Sequence, residues 1–184
     1  MEKQHHIHLV PGDVGETVFL PGDVSRARVI ADHFDSAELI ASHRQYNTFT
    51  GMYKGVKVSV TSTGIGGAAA AIAIEELIKV GAKNFIRIGT GGMIQTWLPR
   101  PGLLVITGAV RGDGTTREYF PPEYPAIADL DVVEAMLESA EELDLEVHTG
   151  LEWSHDSFYA GSTLSKLDIL EIEKPWIDAG VLIA

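Results

Sequence analysis

Short apolar runs and amphipathic stretches alternate along the chain, and their spacing predicts its secondary structure. Segments of four to eight residues that are apolar, or rich in β-branched and aromatic residues, and that are bounded by turn residues are typical of strands. We predict strands of this kind at residues 17–20, 37–41, 46–53, 56–61, 85–88, 103–110 and 146–153. The turn Lys54-Gly55 joins two of them, which predicts a β-hairpin.

Other stretches have the helical period and capping residues at their ends. They are residues 24–34 after Asp23, residues 66–80 before Gly81, and a stretch from Asp129 or Asp131 to about residue 143. In the third stretch, the apolar side chains fall on one face: Val132, Val133, Met136, Leu137 and Ala140. Strands interleaved with helices predict an α/β fold, and the hairpin makes its sheet mixed. We expect a single domain over residues 1–184.

Composition narrows the functional class. The 184 residues are 45% hydrophobic and 22% charged, which is typical of a globular protein. There are no cysteines, so disulfides and thiolate chemistry are excluded, and a cytoplasmic location is expected. No signal peptide or membrane-spanning run is visible. The net charge of −12 disfavours binding to nucleic acid or to anionic membranes.

Residues 83–92 carry the strongest chemical signal. Arg87 lies within an apolar run, and a guanidinium in a buried strand costs several kcal/mol unless an anion meets it. The following Gly-Thr-Gly-Gly, residues 89–92, supplies a hydroxyl and backbone N–H groups that can approach a ligand closely. Phosphate binding and an internal pair of arginine and carboxylate both fit this segment.

Two more arginines follow strand ends. Arg26 lies in the first turn of a predicted helix after Gly22-Asp23, where the helix dipole attracts anions. Arg44 lies between two predicted strands and could face a ligand or a neighbouring subunit. Taken alone, each is more simply interpreted as an exposed, solvated cation.

Two further motifs have simple structural interpretations. Residues 64–69 fit the pattern G-x-G-x-x-A of dinucleotide-binding loops, but no acidic residue stands about 20 positions later. Glycines that bring a helix close to the sheet explain the motif better. His5, His6 and His8 could bind a metal ion, although a flexible terminal segment is the simpler interpretation.

Residues 154–159 contain Ser, His and Asp, as a hydrolase triad does. Adjacent residues on a strand point to opposite faces, so they cannot form one. Phe158 and Tyr159 could stack on a base, and core packing is the alternative.

Taken together, these motifs resemble those of the nucleoside phosphorylase and hydrolase family, most closely its uridine phosphorylase branch. They occur in family order over most of residues 8–161. The matching segments are Pro21-Gly22-Asp23 with Arg26, Ala41-Ser42-His43-Arg44, residues 62–67 with Glu75-Glu76-Leu77, residues 86–92, residues 125–129 and Asp156-Ser157-Phe158-Tyr159.

The resemblance implies a three-layer αβα fold with a central twisted mixed sheet. It also implies residue roles, with Arg87 and Thr90 as the catalytic pair. The phosphate-binding residues would be Gly22, Arg26, Arg44, Arg87 and Thr90, and the nucleoside-binding residues His8, Gly91, Gly92 and Phe158. Arg44 and His8 would act across a dimer interface, in a homodimer or a dimer-based hexamer.

The implied reaction is phosphorolysis of a nucleoside, with uridine as the first expectation. Phosphate attacks C1′ and yields free base and ribose 1-phosphate, so phosphate is a co-substrate and no cofactor or metal is required. A purine nucleoside phosphorylase, a methylthioadenosine-type nucleosidase and an inactive nucleoside- or phosphate-binding remnant are the alternatives.

The chain departs from the family pattern at three places. Ser162, Thr163 and Leu164 stand where a glutamine and an arginine that read uracil are expected, which leaves the preferred base open. A ribose-binding segment expected soon after Leu182 is absent, so we expect a chain that lacks its C-terminal part, with activity open. Gln45 replaces a glutamate that holds a monovalent cation in some members, so no such ion is expected.

Overall fold

A computed structural model describes residues 2–159 and 169–184, which form two compact units, Met1–Thr90 and Gly91–Ala184. The expectation of one domain over the whole chain stays a prediction. No helix in the described ranges is long and apolar enough to cross a membrane.

The first unit contains a five-stranded sheet and two helices. In chain order its elements are β1 (Thr17–Pro21), α1 (Val24–Ala31), β2 (Ser36–His43), β3 (Tyr46–Tyr53), β4 (Val56–Thr61), α2 (Gly67–Lys79) and β5 (Asn84–Ile88). The strand order is β2-β3-β4-β1-β5. Strand β1 is parallel to both β4 and β5, whereas β3 is antiparallel to β2 and β4. The sheet is therefore mixed, as the hairpin predicts.

The two helices of this unit cover opposite faces of the sheet. Because side chains alternate along a strand, Val18 and Phe19 of β1 point to opposite faces. Val18 belongs to a buried cluster with Leu77 of α2, whereas Phe19 packs against a second cluster that contains Ala27 of α1. Helix, sheet and helix thus form three layers within the first unit.

The second unit contains a smaller sheet. Its elements are β6 (Leu103–Arg111), α3 (Thr115–Tyr119), β7 (Ala126–Ile127), α4 (Leu130–Glu142), β8 (Val147–Ser154) and α5 (Ile169–Asp178), with the strand order β7-β6-β8. Strand β6 is parallel to β8 and antiparallel to β7, so this sheet is also mixed. Residues near the chain end add isolated bridges, in which Ile183 pairs with Met93 and Glu152.

Local sequence signals explain most helix boundaries. Asp23 caps α1 by accepting a hydrogen bond from Ser25 N, and Asp129, not Asp131, caps α4 by accepting from Val132 N at 3.2 Å. Val133 and Ala140 are the buried residues of the apolar face predicted for α4. Helix α1 ends at Ala31, three residues before the predicted end.

The short elements α3 and β7 were not predicted, because elements of five and two residues are too short to show a hydrophobic period. Asp113 accepts hydrogen bonds from the backbone and hydroxyl of Thr116, at 2.7 and 2.8 Å. Arg111 donates to four backbone carbonyls between residues 116 and 124. This single guanidinium therefore ties the loop around α3 to the end of β6.

Candidate phosphate and nucleoside site

Four loops of the first unit meet at one edge of its sheet. The strands β1, β4 and β5 are parallel, so the segments that follow them, beginning at Gly22, Ser62 and Gly89, lie at the same edge. The antiparallel pair Thr48 and Thr61 places the start of β3 beside the end of β4. The turn at Arg44 between β2 and β3 therefore lies at this edge too.

The topology also marks this edge as a binding site. Helix α1, which follows β1, packs on one face of the sheet, whereas α2, which follows the neighbouring β4, packs on the other. In open α/β sheets, ligands bind at the carboxyl ends of strands where the connections diverge in this way. The predicted phosphate-binding residues lie in or beside these segments, with Arg87 next to the last residue of β5 and Arg26 in the first turn of α1.

Arg87 lies between two glycines at the edge. A Cβ atom added to Gly22 would lie 3.3 Å from Arg87 Nη2, and one added to Gly89 would lie 2.9 Å from Arg87 Nη1. Arg87 Nη1 donates to the carbonyl oxygens of Leu20 at 3.2 Å and Ile88 at 2.6 Å. The missing side chains of both glycines leave the room in which the guanidinium lies.

The prediction that Arg87 lies in a buried strand is wrong. Strand β5 is the edge strand of its sheet, and Arg87, Ile88 and Thr90 are exposed. The apolar run indicated burial, but only its first two residues, Phe85 and Ile86, are partly buried. Because the Arg87 guanidinium is exposed, it does not bear the full free-energy cost of a buried charge, and an anion in solvent can reach it.

Arg26 is exposed at the start of α1, close to the Asp23 cap. Hydrogen bonds from the side chain and backbone of Ser25 lower the pKa of Asp23, and the charge of Arg26 adds a smaller effect. Because the Asp23 carboxylate already occupies the first turn of α1, an anion at this edge would rely on the arginines and glycine N–H groups.

Arg44 is exposed at the first position of the two-residue turn between β2 and β3, with φ of 56°. The turn is tied to the loop after β4. Ser62 Oγ donates to the Gln45 carbonyl at 2.6 Å, and a Cβ atom on Gly64 would lie 2.9 Å from Gln45 Cγ. This close approach, together with a φ of 72° at Gly64, favours the structural explanation of the glycine motif at residues 64–69.

His8 lies beside the same turn. Its ring stacks on that of His43, with centroids 3.7 Å apart and planes 8° apart. Partial burial, followed in importance by the charge of His43, lowers the pKa of His8 below its ordinary value. His8 is therefore favoured in its neutral form, which can both donate and accept a hydrogen bond.

The expectation of a flexible N-terminal segment is wrong. Ile7 and Leu9 are fully buried in the core against α2, and Glu76 of α2 accepts hydrogen bonds from the backbone of His6 and Ile7. The carboxylate that binds this segment is distant in sequence, so local reasoning could not find it. Among residues 2–159 and 169–184, no group of three or more possible ligands is arranged to hold a metal ion.

The predicted nucleoside-binding residues Gly91 and Gly92 belong to the second unit. Gly92 N donates to the Ala184 carbonyl at 2.8 Å, and Ala184 N donates to the Gly92 carbonyl at 2.9 Å. A Cβ atom on Gly91 would lie 2.8 Å from Ile183 Cδ1. Glycine is therefore required at position 91 by its close packing against Ile183.

Phe158 is 83% exposed and Tyr159 is 59% exposed, so the core-packing interpretation of this pair is wrong. The two rings meet edge to face, with centroids 5.1 Å apart. They follow β8 in an irregular segment, beyond the sheet that could have buried them. Ser162, Thr163 and Leu164, on which the base preference depends, lie outside the described residues.

Glu76 and His43 contact the N-terminal segment, and neither was singled out individually from the sequence. A usable signal existed for Glu76, because it is 7% exposed and lies three residues after Ala73 and four before Val80, both buried. A carboxylate at helical spacing with buried positions must find donors. His43 gave no such signal, since a histidine at a strand end is normally solvated.

Comparison with known proteins agrees with the motifs. A family model described as the phosphorylase superfamily matches residues 16–173. A uridine phosphorylase from Thermococcus kodakarensis is 51% identical over 158 residues, which cover 86% of this chain and 57% of the relative. A guanosine phosphorylase from Halorubrum lacusprofundi is 40% identical over 182 residues, which cover 99% of this chain and 73% of the relative.

A crystal structure of uridine phosphorylase from Vibrio fischeri matches with a TM-score of 0.92 and 34% identity. It covers 100% of this chain and 74% of the solved chain, which confirms the expected three-layer αβα fold. The present chain is thus shorter than these relatives, spanning 57% of the Thermococcus protein. The match of the family model and the identities with these relatives establish that the chain belongs to the phosphorylase superfamily, as a member of its nucleoside phosphorylase family.

Proposed function

We propose that this protein catalyses phosphorolysis of a nucleoside, with uridine as the first candidate. The carrying observation is the sheet edge where the Arg87 guanidinium lies between Gly22 and Gly89. Arg26 and the Arg44 turn are positioned at the same edge. On a molecule with a net charge of −12, the guanidiniums of Arg87 and Arg26, joined by Arg44 from a neighbouring copy, favour a small, highly charged anion over other ligands.

Phosphorolysis needs little more from the protein than binding and charge. Phosphate attacks C1′ as the base departs, and the developing positive charge on the sugar is stabilised by the phosphate dianion. Arg87 and Arg26, together with Arg44 from a neighbouring copy, would hold the dianion by charge-assisted hydrogen bonds, while Thr90 would add its hydroxyl. Orientation of phosphate toward C1′ supplies proximity, so neither a covalent intermediate nor a cofactor is needed.

The nucleoside would be held by a different set of groups. A neutral His8 can hydrogen-bond a sugar hydroxyl, and the exposed ring of Phe158 offers a stacking surface for the base. Gly91 and Gly92 would bring the backbone close to the ligand. We propose, as the family resemblance implies, that Arg44 and His8 complete the site of a neighbouring copy in a dimer or dimer-based hexamer.

A purine nucleoside is the second candidate substrate. The guanosine phosphorylase relative aligns over 99% of this chain, farther than the uridine phosphorylase relative from Thermococcus kodakarensis. The phosphate chemistry would be unchanged, because only the base pocket needs to differ.

Incubation with uridine, guanosine, inosine or methylthioadenosine, with and without phosphate, tests the proposal. We expect free base and ribose 1-phosphate only when phosphate is present, with uridine the fastest substrate. Release of base without phosphate would identify a nucleosidase. Binding of phosphate and nucleoside without turnover would identify an inactive binding protein and refute the proposal.

A further inference from the structure

The carboxylate of Glu76 accepts hydrogen bonds from three donors of the N-terminal segment. Its Oε2 accepts from the backbone N–H groups of His6 and Ile7, each at 2.9 Å. Its Oε1 accepts from His6 Nδ1 at 2.7 Å. Although burial acts to raise the pKa of Glu76, these hydrogen bonds prevail and lower it. Glu76 is therefore a buried carboxylate that binds the backbone N–H groups of two consecutive residues.

The backbone is fixed on both sides of His8, by Glu76 before it and by the burial of Leu9 after it. Ile7 and Leu9 are fully buried, and Gln4 N donates to the Leu9 carbonyl at 2.8 Å. His8 N donates to the Gln4 carbonyl at 3.2 Å, so residues 4–9 close on themselves. Between its two buried neighbours, His8 remains only partly buried.

The backbone of His8 has the left-handed conformation. Among the described residues, four that are not glycine have a positive φ: His8, Arg44, Lys54 and Asp144. The last three lie in two-residue hairpin turns or directly after a helix, where this conformation is common. His8 has φ of 58° at the end of the turn that its own N–H closes on the Gln4 carbonyl, which is a comparable setting. The hydrogen bonds and burial around residues 4–9 therefore fix the conformation of His8.

His43 contacts this arrangement twice. Its Nδ1 lies 2.8 Å from the His6 carbonyl oxygen, and since a carbonyl only accepts, the ring must donate from Nδ1. The same ring is the surface on which His8 stacks. Glu76 therefore binds the N–H of His6 and His43 binds its carbonyl, which fixes the backbone two residues before His8.

We infer that Glu76 and His43 are positioning residues that hold the imidazole of His8 in the orientation in which it meets the sugar of the nucleoside. This inference rests on the proposed function and goes further by naming the residues behind the sugar contact. Simple anchoring of the segment would require only the burial of Ile7 and Leu9. The hydrogen bonds to Glu76 and the stacking on His43 additionally set the direction of the His8 side chain.

The test is a spectroscopic signature of the stack, measured in the full chain without ligand. The face of the His43 ring shifts the ring protons of His8 upfield, which histidine-selective NMR resolves once His8→Gln has assigned the signal. We expect Glu76→Gln to move the His8 signals toward free-histidine values. Glu75→Gln removes the same charge from the neighbouring, exposed residue of α2 and should leave them unchanged.

A second variant keeps the inference open to refutation if Glu76→Gln does not fold. His43→Ala removes the stacking surface near the end of β2 and should abolish the upfield shift while the core stays intact. Unchanged His8 signals in folded Glu76→Gln, or in His43→Ala, would overturn the inference.

Titration with uridine separates this inference from the proposed function. We expect affinity for uridine to fall on the order of tenfold in Glu76→Gln and His43→Ala, with phosphate affinity unchanged. An equal loss in Glu75→Gln would overturn the inference. If the wild-type protein has the stacked His8 signature but binds no nucleoside, the proposed function fails, while loss of the signature in Glu76→Gln would still support the positioning of His8.

Discussion

The two units position their predicted ligand-binding residues by different means. In the first unit, parallel strands end side by side, so residues distant in sequence, such as Gly22 and Arg87, become neighbours through the register of the sheet. In the second unit, Phe158 lies in an irregular segment and is almost fully exposed. An anion site can thus be built into a sheet edge, whereas a stacking surface for a base needs only a projecting ring. Substitutions at Arg87 and at Phe158 should therefore have separable effects on the binding of phosphate and of nucleoside.

The largest effect is expected for Arg87→Ala. Loss of this guanidinium should cost about 2–4 kcal/mol of transition-state stabilisation, because a charged donor to the attacking phosphate is removed. Calorimetric titration with phosphate and the kcat/KM of phosphorolysis measure the loss. Arg117→Ala, which removes an exposed arginine from α3, is the matched control and should behave as wild type. Unchanged phosphate affinity in Arg87→Ala would contradict the proposed anion site.

A smaller effect is expected for Gly89→Ala, which tests the role of the glycines. The added methyl group would lie 2.9 Å from Arg87 Nη1, so the guanidinium must move. We expect phosphate affinity to fall about tenfold, equivalent to roughly 1.4 kcal/mol, without unfolding. The control is Gly114→Ala, at a position with φ of −79° and only an ordinary contact at 3.4 Å. If both variants bind phosphate equally well, the position of Arg87 between the glycines is not required.

Phe158→Ala tests the other side of the comparison. Loss of a stacking surface should weaken nucleoside binding by about 0.5–1.5 kcal/mol, seen as a higher KM for nucleoside, and leave phosphate affinity unchanged. The melting temperature should not change, because the ring is 83% exposed. Phe120→Ala removes another exposed ring of the same unit as a control. A loss of phosphate affinity in Phe158→Ala would show that the two sets of residues do not act separately.

The smallest effect concerns acid stability. The pKa of Glu76 is lowered in the folded protein, so the unfolded state takes up its proton first as the pH falls. The stabilisation from Glu76 is present above its ordinary value of 4.5 and is lost as the pH falls through the lower folded-state pKa. Urea unfolding at about pH 6 and about pH 3.5 should show a larger loss of unfolding free energy for the wild type than for Glu76→Gln. Equal losses would contradict the lowered pKa.

The alternation of apolar and polar positions was sufficient for most of the fold. The hairpin at Lys54-Gly55, the cap at Asp23 and the helix after Asp129 are all local signals, and all are present. Helix α3 could not be predicted in this way, because its five residues are too few to show a period. Its order comes from hydrogen bonds between the Arg111 guanidinium and backbone carbonyls, and such bonds leave no period in the sequence.

The candidate site was harder to predict than the fold. Motif order identified the arginines and glycines, but the apolar run around Arg87 was taken as buried because periodicity does not distinguish an edge strand from a central one. The N-terminal histidines were expected to be mobile, since their partner Glu76 lies 70 residues away from His6. The binding of phosphate and nucleoside by the proposed site residues stays a prediction, which the experiments above test.

The neighbouring strands β4, β1 and β5 all belong to the first unit, and this has a consequence for how substrate preference can change among related proteins. All five proposed phosphate contacts are encoded within the first ninety residues, whereas Gly91, Gly92 and Phe158 come later. The preference of related proteins could therefore change from pyrimidine to purine nucleosides through substitutions in the later stretch, while the residues that bind inorganic phosphate stay unchanged.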